Sequence, residues 1–335
     1  MVFVENSKWK EINRKGFLDI ELDPSLDLFY EIKELKSLKN AIILAHYYQD
    51  PDIQDIADFV GDSLGLAQQA AKTNADIILF AGVHFMAETA KILCPQKKVI
   101  LPDLNAGCSL SDSAPAPLFA EFKKKYPDHK VITYVNCSAA LKTMSDVIVT
   151  SKNAVPIVNS FPIEQPLIFA PDKNLGAYIN QITGRNMVLW NGACMVHEIF
   201  NHKKISDLLK EYPDAELIAH PECEASVLSM AKYIGSTYGL LEYTKKSKAN
   251  QFIVATEPGI LHQMKLSSPN KIFIPAPTNH ACACNNCPHM KLNTLEKVYV
   301  CLKYEVPELI LDEDTIQKAL IPIQRMLEIS AQLGL

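Results

Sequence analysis

Three short runs of apolar residues, each ending in polar residues, recur along the chain at nearly constant spacing. The runs lie at 41–46, 131–134 and 216–220. Each has the length and composition of a strand that is buried on both faces. The residues that end them, His46, Tyr134 and His220, are 88 and 86 positions apart. The pattern therefore predicts that each run opens one copy of a repeated structural unit.

The regular spacing continues beyond these strands. Seventeen positions after each strand end stands a residue with a hydroxyl group, namely Ser63, Ser151 and Thr237. A second apolar run follows each of these residues, and a third comes after a helical segment: the second runs lie at 76–83, 166–170 and 251–256 and the third at 98–101, 187–190 and 271–274. A cysteine comes shortly after each third run: Cys108, Cys194 and a group that ends at Cys287. Four matching offsets argue against coincidence.

The pattern predicts an α/β protein built from three repeated β-α-β-α-β units. Each unit is expected to form a small parallel sheet between helices, a three-layer α/β/α arrangement with right-handed crossovers. The predicted segments are a leader and helix, three units, and C-terminal helices packing back on the units, at 1–37, 38–108, 109–194, 195–287 and 288–335. Because ligands bind at the carboxyl ends of parallel strands, units around a pseudo-threefold axis would bring the three cysteines together.

Composition narrows the classes of protein that fit. The net charge of −5 argues against a nucleic-acid-binding protein that works by bulk charge. No apolar run approaches the roughly 18 residues of a membrane span, and the first ten residues lack the apolar core of a signal peptide. We therefore expect a cytoplasmic protein with no nucleic-acid or membrane partner. Only three of the 33 basic residues are arginines, so an anionic ligand must be bound by backbone N–H groups, hydroxyls, histidine or lysine.

Nine cysteines in a cytoplasmic chain favour metal or redox chemistry over structural disulfides. Some are set among apolar neighbours and are expected to be buried small hydrophobic residues: Cys94, Cys137 and Cys301. The cysteines after the third strands could instead hold zinc or an iron–sulfur cluster. The last group consists of Cys282, Cys284 and Cys287. Spacing alone does not decide which of these three is the ligand or what the other two do.

Five segments of the chain closely resemble the quinolinate synthase (NadA) family. They lie at 80–93, 101–112, 134–136, 220–223 and 287–291, within a colinear resemblance that covers roughly residues 38–303. The resemblance implies three α/β/α domains around a pseudo-threefold axis, in agreement with the repeat. It also implies a reaction in which iminosuccinate, supplied by L-aspartate oxidase, condenses with dihydroxyacetone phosphate to give quinolinate, phosphate and two waters.

The resemblance further implies a [4Fe–4S] cluster held by three cysteines, with one open iron that acts as a Lewis acid. By position the ligands would be Cys108, Cys194 and Cys287, the last because the family's ligand directly precedes Pro-x-Met. The family's substrate-binding positions correspond in this chain to His46, Ser63, Tyr134, Asn136, Ser151, His220, Glu222 and Thr237.

The chemistry of the implied reaction suggests roles for several side chains. Proton transfer on the triose carbons and two dehydrations need a general acid or base, and Glu222 is the carboxylate within the strand-end clusters. His220 could hydrogen-bond a substrate oxygen or assist. Tyr48 resembles the family's catalytic tyrosine, whereas Tyr47 should face the opposite side of its strand. The three hydroxyl residues, placed near helix starts, would bind anionic groups together with backbone N–H groups.

Other interpretations compete with this one. Another non-redox iron–sulfur hydro-lyase would use the same open iron, and a non-catalytic metal-dependent regulator would keep only the scaffold. Residues 61–65 match the Gly-x-Ser-x-Gly nucleophile elbow of serine hydrolases, but helical spacing at 53–60 argues against the strand that an elbow requires. Cys223 has no assigned base, and strand alternation turns it away from Glu222. His197 is expected to begin a helix beside the ligands of the cluster.

Overall fold

The computed structural model describes residues 11–279 and 285–334. The chain divides into two compact units, the first formed by residues 1–108 and 288–317 and the second by residues 109–287 and 318–335. The first unit contains one four-stranded sheet and the second unit contains two. All strand pairs within the three sheets are parallel.

The first sheet has the strand order β2-β1-β3-β4. Its strands are β1 (Ala41–His46), β2 (Phe59–Gly61), β3 (Ile77–Ala81) and β4 (Lys98–Ile100). The helices between them are Pro51–Ile56, Ser63–Lys72 and His84–Leu93. β1 and β3 pair over five residues and are almost wholly apolar, because helices cover both faces of the sheet. The helix Leu295–Tyr304 adds its buried side chains to the core of this unit.

The second and third sheets repeat this strand order, as β6-β5-β7-β8 and β10-β9-β11-β12. The second sheet consists of β5 (Lys130–Tyr134), β6 (Val147–Val149), β7 (Leu167–Ala170) and β8 (Val188–Leu189). The third consists of β9 (Glu216–Ala219), β10 (Tyr233–Ile234), β11 (Gln251–Ala255) and β12 (Ile272–Pro275). The intervening helices are Ser109–Asp112, Ala116–Lys124, Ala139–Lys142, Ala154–Asn159, Lys173–Thr183, Met195–Glu198, His202–Glu211, Ala225–Leu228, Thr237–Lys246 and Ile260–Ser267.

The predicted fold class is confirmed, because each sheet is parallel and helices alternate with its strands. Each sheet nevertheless has four strands rather than the three predicted for each repeat. The additional strands, β2, β6 and β10, are only two or three residues long, too short to produce a periodic pattern. They form by pairing with β1, β5 and β9, respectively. The boundaries predicted for the three repeat units stay a prediction.

The predicted helical pattern at 53–60 is wrong in its second half. The helix Pro51–Ile56 ends before residue 60, and β2 then leads directly to Ser63. A strand does therefore precede this serine, and the first objection to a nucleophile elbow fails. A second objection replaces it: an elbow holds its serine on a strained turn, whereas Ser63 has no positive φ and simply begins the helix Ser63–Lys72.

The ends of the chain also bear on the predictions. Residues 1–10 of the predicted leader lie outside the described residues, and the helix Leu28–Leu38 follows them. The helices Leu295–Tyr304 and Glu313–Gln332 lie in the segment 288–335, where C-terminal helices are predicted. Two helices follow Cys194, Met195–Glu198 and His202–Glu211, and the second starts where the side chain of Asn201 accepts from the N–H of Lys204. No described helix has the length and apolar character needed to cross a membrane.

Candidate active site

In the first unit, His46 and Tyr48 stand at the carboxyl end of β1. His46 is buried, and its Nδ1 accepts a hydrogen bond from the backbone N–H of Tyr48 at 3.2 Å. Their rings meet edge to face with centroids 4.4 Å apart. Lys291 Nζ donates to the carbonyl oxygen of Tyr48 at 2.9 Å and lies 2.9 Å from Asp50. Tyr47 is buried and Tyr48 is partly exposed. Both tyrosines lie in the turn after β1 rather than in the strand, so their different environments do not come from strand alternation.

The three hydroxyl residues of the repeat differ in their local structure. Ser63 and Thr237 are each the first residue of a helix, and the preceding Asp62 and Ser236 act as N-caps. Ser151 instead lies in a turn three residues before the helix Ala154–Asn159. The repeat spacing therefore places two of the three hydroxyls directly at helix N-termini, where backbone N–H groups favour anions.

Glu222 is the centre of a buried polar group in the second unit. Tyr134 at the end of β5 donates its hydroxyl to Glu222 Oε1 at 2.6 Å. His197 Nδ1 lies 3.1 Å from Oε2, a close polar contact rather than an aligned hydrogen bond. His220 Nδ1 lies 3.6 Å from Oε1, too far for a hydrogen bond. The structure thus brings together the predicted residues Tyr134, His220 and Glu222, and all three are buried.

The surroundings of Glu222 and His220 determine their charge. Burial opposes ionisation of Glu222, but His197, His220 and the hydrogen bond from Tyr134 together outweigh it and lower its pKa to about 2. Burial, reinforced by His197, lowers the pKa of His220 to about 3, although Glu222 opposes this. At neutral pH Glu222 is therefore a carboxylate and His220 is a neutral imidazole.

The hydrogen bonds of His220 define which ring nitrogen carries its proton. Nδ1 accepts from the backbone N–H of Glu222 at 3.4 Å, so the proton resides on Nε2. Nε2 lies 3.2 Å from the hydroxyl oxygen of Ser151. The side chain can therefore donate a hydrogen bond next to one of the predicted anion-binding hydroxyls.

His197 connects the Glu222 group to a predicted metal ligand. Its Nδ1 lies 3.2 Å from Cys194 Sγ, and its Nε2 lies 2.9 Å from the hydroxyl of Thr256. Its ring stacks on that of His220 with centroids 4.7 Å apart. Ligand atoms of Cys194, His197 and Glu222 all lie within 4.8 Å of one another, a set that could hold a metal ion. His197 does not begin its helix, which starts at Met195, and its place beside the ligands of a cluster stays a prediction.

The described cysteines divide by exposure. The predicted ligands are partly exposed: Cys108, Cys194 and Cys287. The others are buried: Cys94, Cys137, Cys223 and Cys301. Burial raises the thiol pKa of Cys94, Cys223 and Cys301, and so disfavours the thiolate form that binds metals. The burial expected for Cys94, Cys137 and Cys301 is confirmed, and Cys282 and Cys284 lie outside the described residues.

Asn136, the remaining predicted binding residue, follows β5 by two positions. Its side-chain Oδ1 is buried and has no hydrogen-bond partner among the described residues. The backbone on either side of it makes a tight turn, because the N–H of Cys137 donates to the carbonyl of Val135 at 2.8 Å. The turn determines where the Asn136 amide can lie.

Sequence reasoning missed two buried carboxylates that hold the backbone of the predicted ligands. Asp172 accepts from the backbone N–H groups of Leu175, at 2.7 Å, and Cys194. Glu257 accepts from the N–H of Cys287 at 3.2 Å. Burial, together with the charge of Glu222, raises the pKa of Asp172 well above its usual range. A signal was present, since each acid stands two positions after the end of a middle strand, β7 or β11.

Gly192, two residues before the predicted ligand Cys194, is too closely surrounded by other atoms to carry a side chain. A Cβ atom there would lie 2.2 Å from Ser113 Oγ and 2.6 Å from the carbonyl oxygen of Pro171. We expect Gly192→Ala to lower the free energy of unfolding by about 1–3 kcal/mol, because the backbone at Pro171 or at residue 192 must move to make room for the methyl group. Urea denaturation measures the loss. The control is Gly65→Ala, where the nearest atom is 3.5 Å away; an equal loss there would contradict the argument.

The sequence of this chain is similar to known proteins over most of its length. A family model described as quinolinate synthetase A protein, NadA, matches residues 30–328. A protein of Gloeothece citriformis (strain PCC 7424) named quinolinate synthase is 66% identical over 304 residues, which cover 91% of this chain and 94% of the relative. One of Cyanophora paradoxa with the same name is 58% identical over 329 residues, which cover 98% and 99%. The chain therefore belongs to the quinolinate synthase family, NadA, and is an enzyme of that family.

Proposed function

We propose that this enzyme condenses iminosuccinate with dihydroxyacetone phosphate to give quinolinate, phosphate and two waters, in de novo NAD biosynthesis. The observation that carries the proposal is the buried group of Tyr134, His220 and Glu222 at the carboxyl ends of parallel strands, in a chain of this family. His197 joins this group from the helix Met195–Glu198. Iminosuccinate is the product of the L-aspartate oxidase reaction, so that enzyme is the functional neighbour. We place the reaction in the cytoplasm, with no nucleic-acid or membrane partner.

Glu222 is the group best placed to accept a proton. It is a carboxylate at neutral pH and so has no proton to give, which favours the role of general base over that of acid. The Tyr134 hydroxyl, 2.6 Å from Oε1, can pass a proton to Glu222 while it gains one from substrate. Tyr48 at the end of β1 is the second tyrosine that we assign to the reaction. The neutral His220 donates through Nε2 to a substrate oxygen.

The two substrates are anions, and their binding must use few arginines. We assign it to the hydroxyls and N–H groups at the positions predicted from the repeat, together with His46 and Asn136. Ser63 and Thr237 support this assignment because each stands at a helix N-terminus. Ser151 supports it through its contact with His220.

The chemistry of the donor set fits an iron–sulfur cluster. Among the described cysteines, the partly exposed ones are Cys108, Cys194 and Cys287, and we propose these as the three ligands of a [4Fe–4S] cluster. When bound, a cluster with one iron free of protein ligands supplies a Lewis acid that polarises a carboxylate or hydroxyl and assists the loss of water. His197 and Asp172 orient Cys194, and Glu257 orients the backbone of Cys287.

The direct test is an assay of protein purified without oxygen. Iron and sulfide are counted, and quinolinate formation from iminosuccinate and dihydroxyacetone phosphate is followed by chromatography. We expect a cluster and stoichiometric quinolinate and phosphate, with neither product formed when either substrate is omitted. A cluster without quinolinate would point to a different hydro-lyase. Zinc in place of iron, or no metal, would overturn the assigned ligand chemistry.

A further inference from the structure

Lys142 is a fully buried lysine next to the candidate active site. It ends the short helix Ala139–Lys142 and is 0% exposed. Lysine is almost never fully buried unless its ammonium group is held by partners, because desolvation of the charge is costly. The full burial of Lys142 therefore needs an explanation from the contacts of its ammonium group.

The ammonium group of Lys142 binds the backbone on both sides of Asn136. Nζ donates to the carbonyl oxygen of Val135 at 3.0 Å and also to that of Cys137. The carbonyl of Val135 additionally accepts the N–H of Cys137 at 2.8 Å, which closes the turn around Asn136. The same segment begins at Tyr134, the partner of Glu222. One ammonium nitrogen therefore determines the path of the chain between two residues of the site.

A lysine that only stabilised the fold would not need this location. Lys271 makes an equivalent pair of bonds, from Nζ to the carbonyls of Thr244 at 2.6 Å and Ser247 at 2.7 Å. Those two carbonyls lie in the last turn of the helix Thr237–Lys246 and just after it, and Lys271 directly precedes β12, so the contact is at the amino edge of the third sheet. Lys142 instead acts at the carboxyl end of β5, where ligands of parallel sheets bind.

We infer that Lys142 is a positioning residue, which places the amide of Asn136 so that it can bind the product quinolinate and the substrate iminosuccinate. The inference rests on the proposed function. Loss of the ammonium group removes one hydrogen bond from each of the two carbonyls and leaves the turn held by its own bond from Cys137 to Val135, so that Asn136 can shift from where the ligand needs it. A misplacement of about 1 Å in a binding group can cost on the order of a hundredfold.

The experiment uses Lys142→Met, with Lys271→Met as the matched control, in the iron-loaded protein. Isothermal titration gives the Kd of quinolinate, and steady-state kinetics give KM for iminosuccinate and kcat. We expect Lys142→Met to raise Kd and KM by about ten- to a hundredfold, with a smaller fall in kcat. Lys271→Met should leave all three within about twofold of wild type. Equal effects of the two substitutions, or a fall in kcat with unchanged KM, would overturn the inference.

A double-mutant cycle with Asn136→Ala tests the route of the effect. If Lys142 acts through Asn136, Lys142→Met should add little to the Kd of the Asn136→Ala variant, whereas multiplying effects would overturn the inference. Should Lys142→Met not fold, Lys142→Arg decides. Its rigid fork cannot place two donors where one ammonium nitrogen lies, so Kd should rise at least about fivefold, and an unchanged Kd would contradict us.

The proposed function can fail separately from this inference. Wild-type protein that neither binds nor forms quinolinate overturns both. Wild-type protein that does both, beside a Lys142→Met variant that binds quinolinate equally well, overturns the positioning role alone.

Discussion

Replacement of Glu222 by glutamine is expected to lower kcat by about 10²–10⁴-fold, the range typical for loss of a general acid or base. Glutamine has nearly the same shape, and its amide oxygen can still accept the hydroxyl of Tyr134, now 2.6 Å from Oε1. It cannot accept a proton or carry the negative charge beside His197. The substitution therefore removes the proton acceptor and retains most of the packing. Quinolinate formation at saturating substrate measures the effect.

The matched control for this prediction is Glu224→Gln. Glu224 is exposed and stands two residues further along, so the same change there should leave kcat within about twofold, as for most surface substitutions. Iron content and the urea midpoint of Glu222→Gln should remain close to wild type. A variant that retains full kcat would remove Glu222 from the proton transfers. Loss of iron along with activity would instead indicate that Glu222 supports the metal site.

Much of the fold is predictable from the sequence because its strong signals are local. The strand predicted at 41–46 is observed at Ala41–His46, since a run of alanine, isoleucine and leucine can be stable only when covered on both faces. The other long strands are predictable from the repeat, because units that recur at constant spacing are expected to fold in the same way. The short strands such as β2 are not predictable in this way. Their stability comes from pairing with a partner strand rather than from their own two or three residues.

The candidate site is predictable to the extent that its residues stand at the ends of strands. Tyr134 is the last residue of β5, and His220 and Glu222 stand in the turn just after β9; the resemblance to a family assigns them roles. Lys142 is not predictable, because a lysine on a short helix is ordinarily a surface residue and its burial is a property of tertiary packing. Asp172 is an intermediate case: its place relative to β7 matches that of Glu257 relative to β11, yet its contact with Cys194 joins distant segments.

The second large effect is expected at the cysteines. We expect the same result from three single alanine substitutions, at Cys108, Cys194 and Cys287. Each should reduce bound iron and sulfide to below about one-tenth of wild type and abolish quinolinate formation, because a cluster with three protein ligands is not held by two. Anaerobic iron analysis and the visible absorption of the cluster, a broad shoulder near roughly 400 nm, measure the loss.

Two buried cysteines provide the controls for this prediction. Cys94 and Cys301 are 3% and 1% exposed, and burial raises the pKa of both thiols. Alanine at either position removes one buried sulfur and should leave iron and activity unchanged, with a modest loss of stability. Iron retained in Cys194→Ala would reassign the site, and the neighbouring His197 and Glu222 would then be the ligands to test. Iron lost equally in all five variants would mean that the cluster responds to general destabilisation rather than to loss of a ligand.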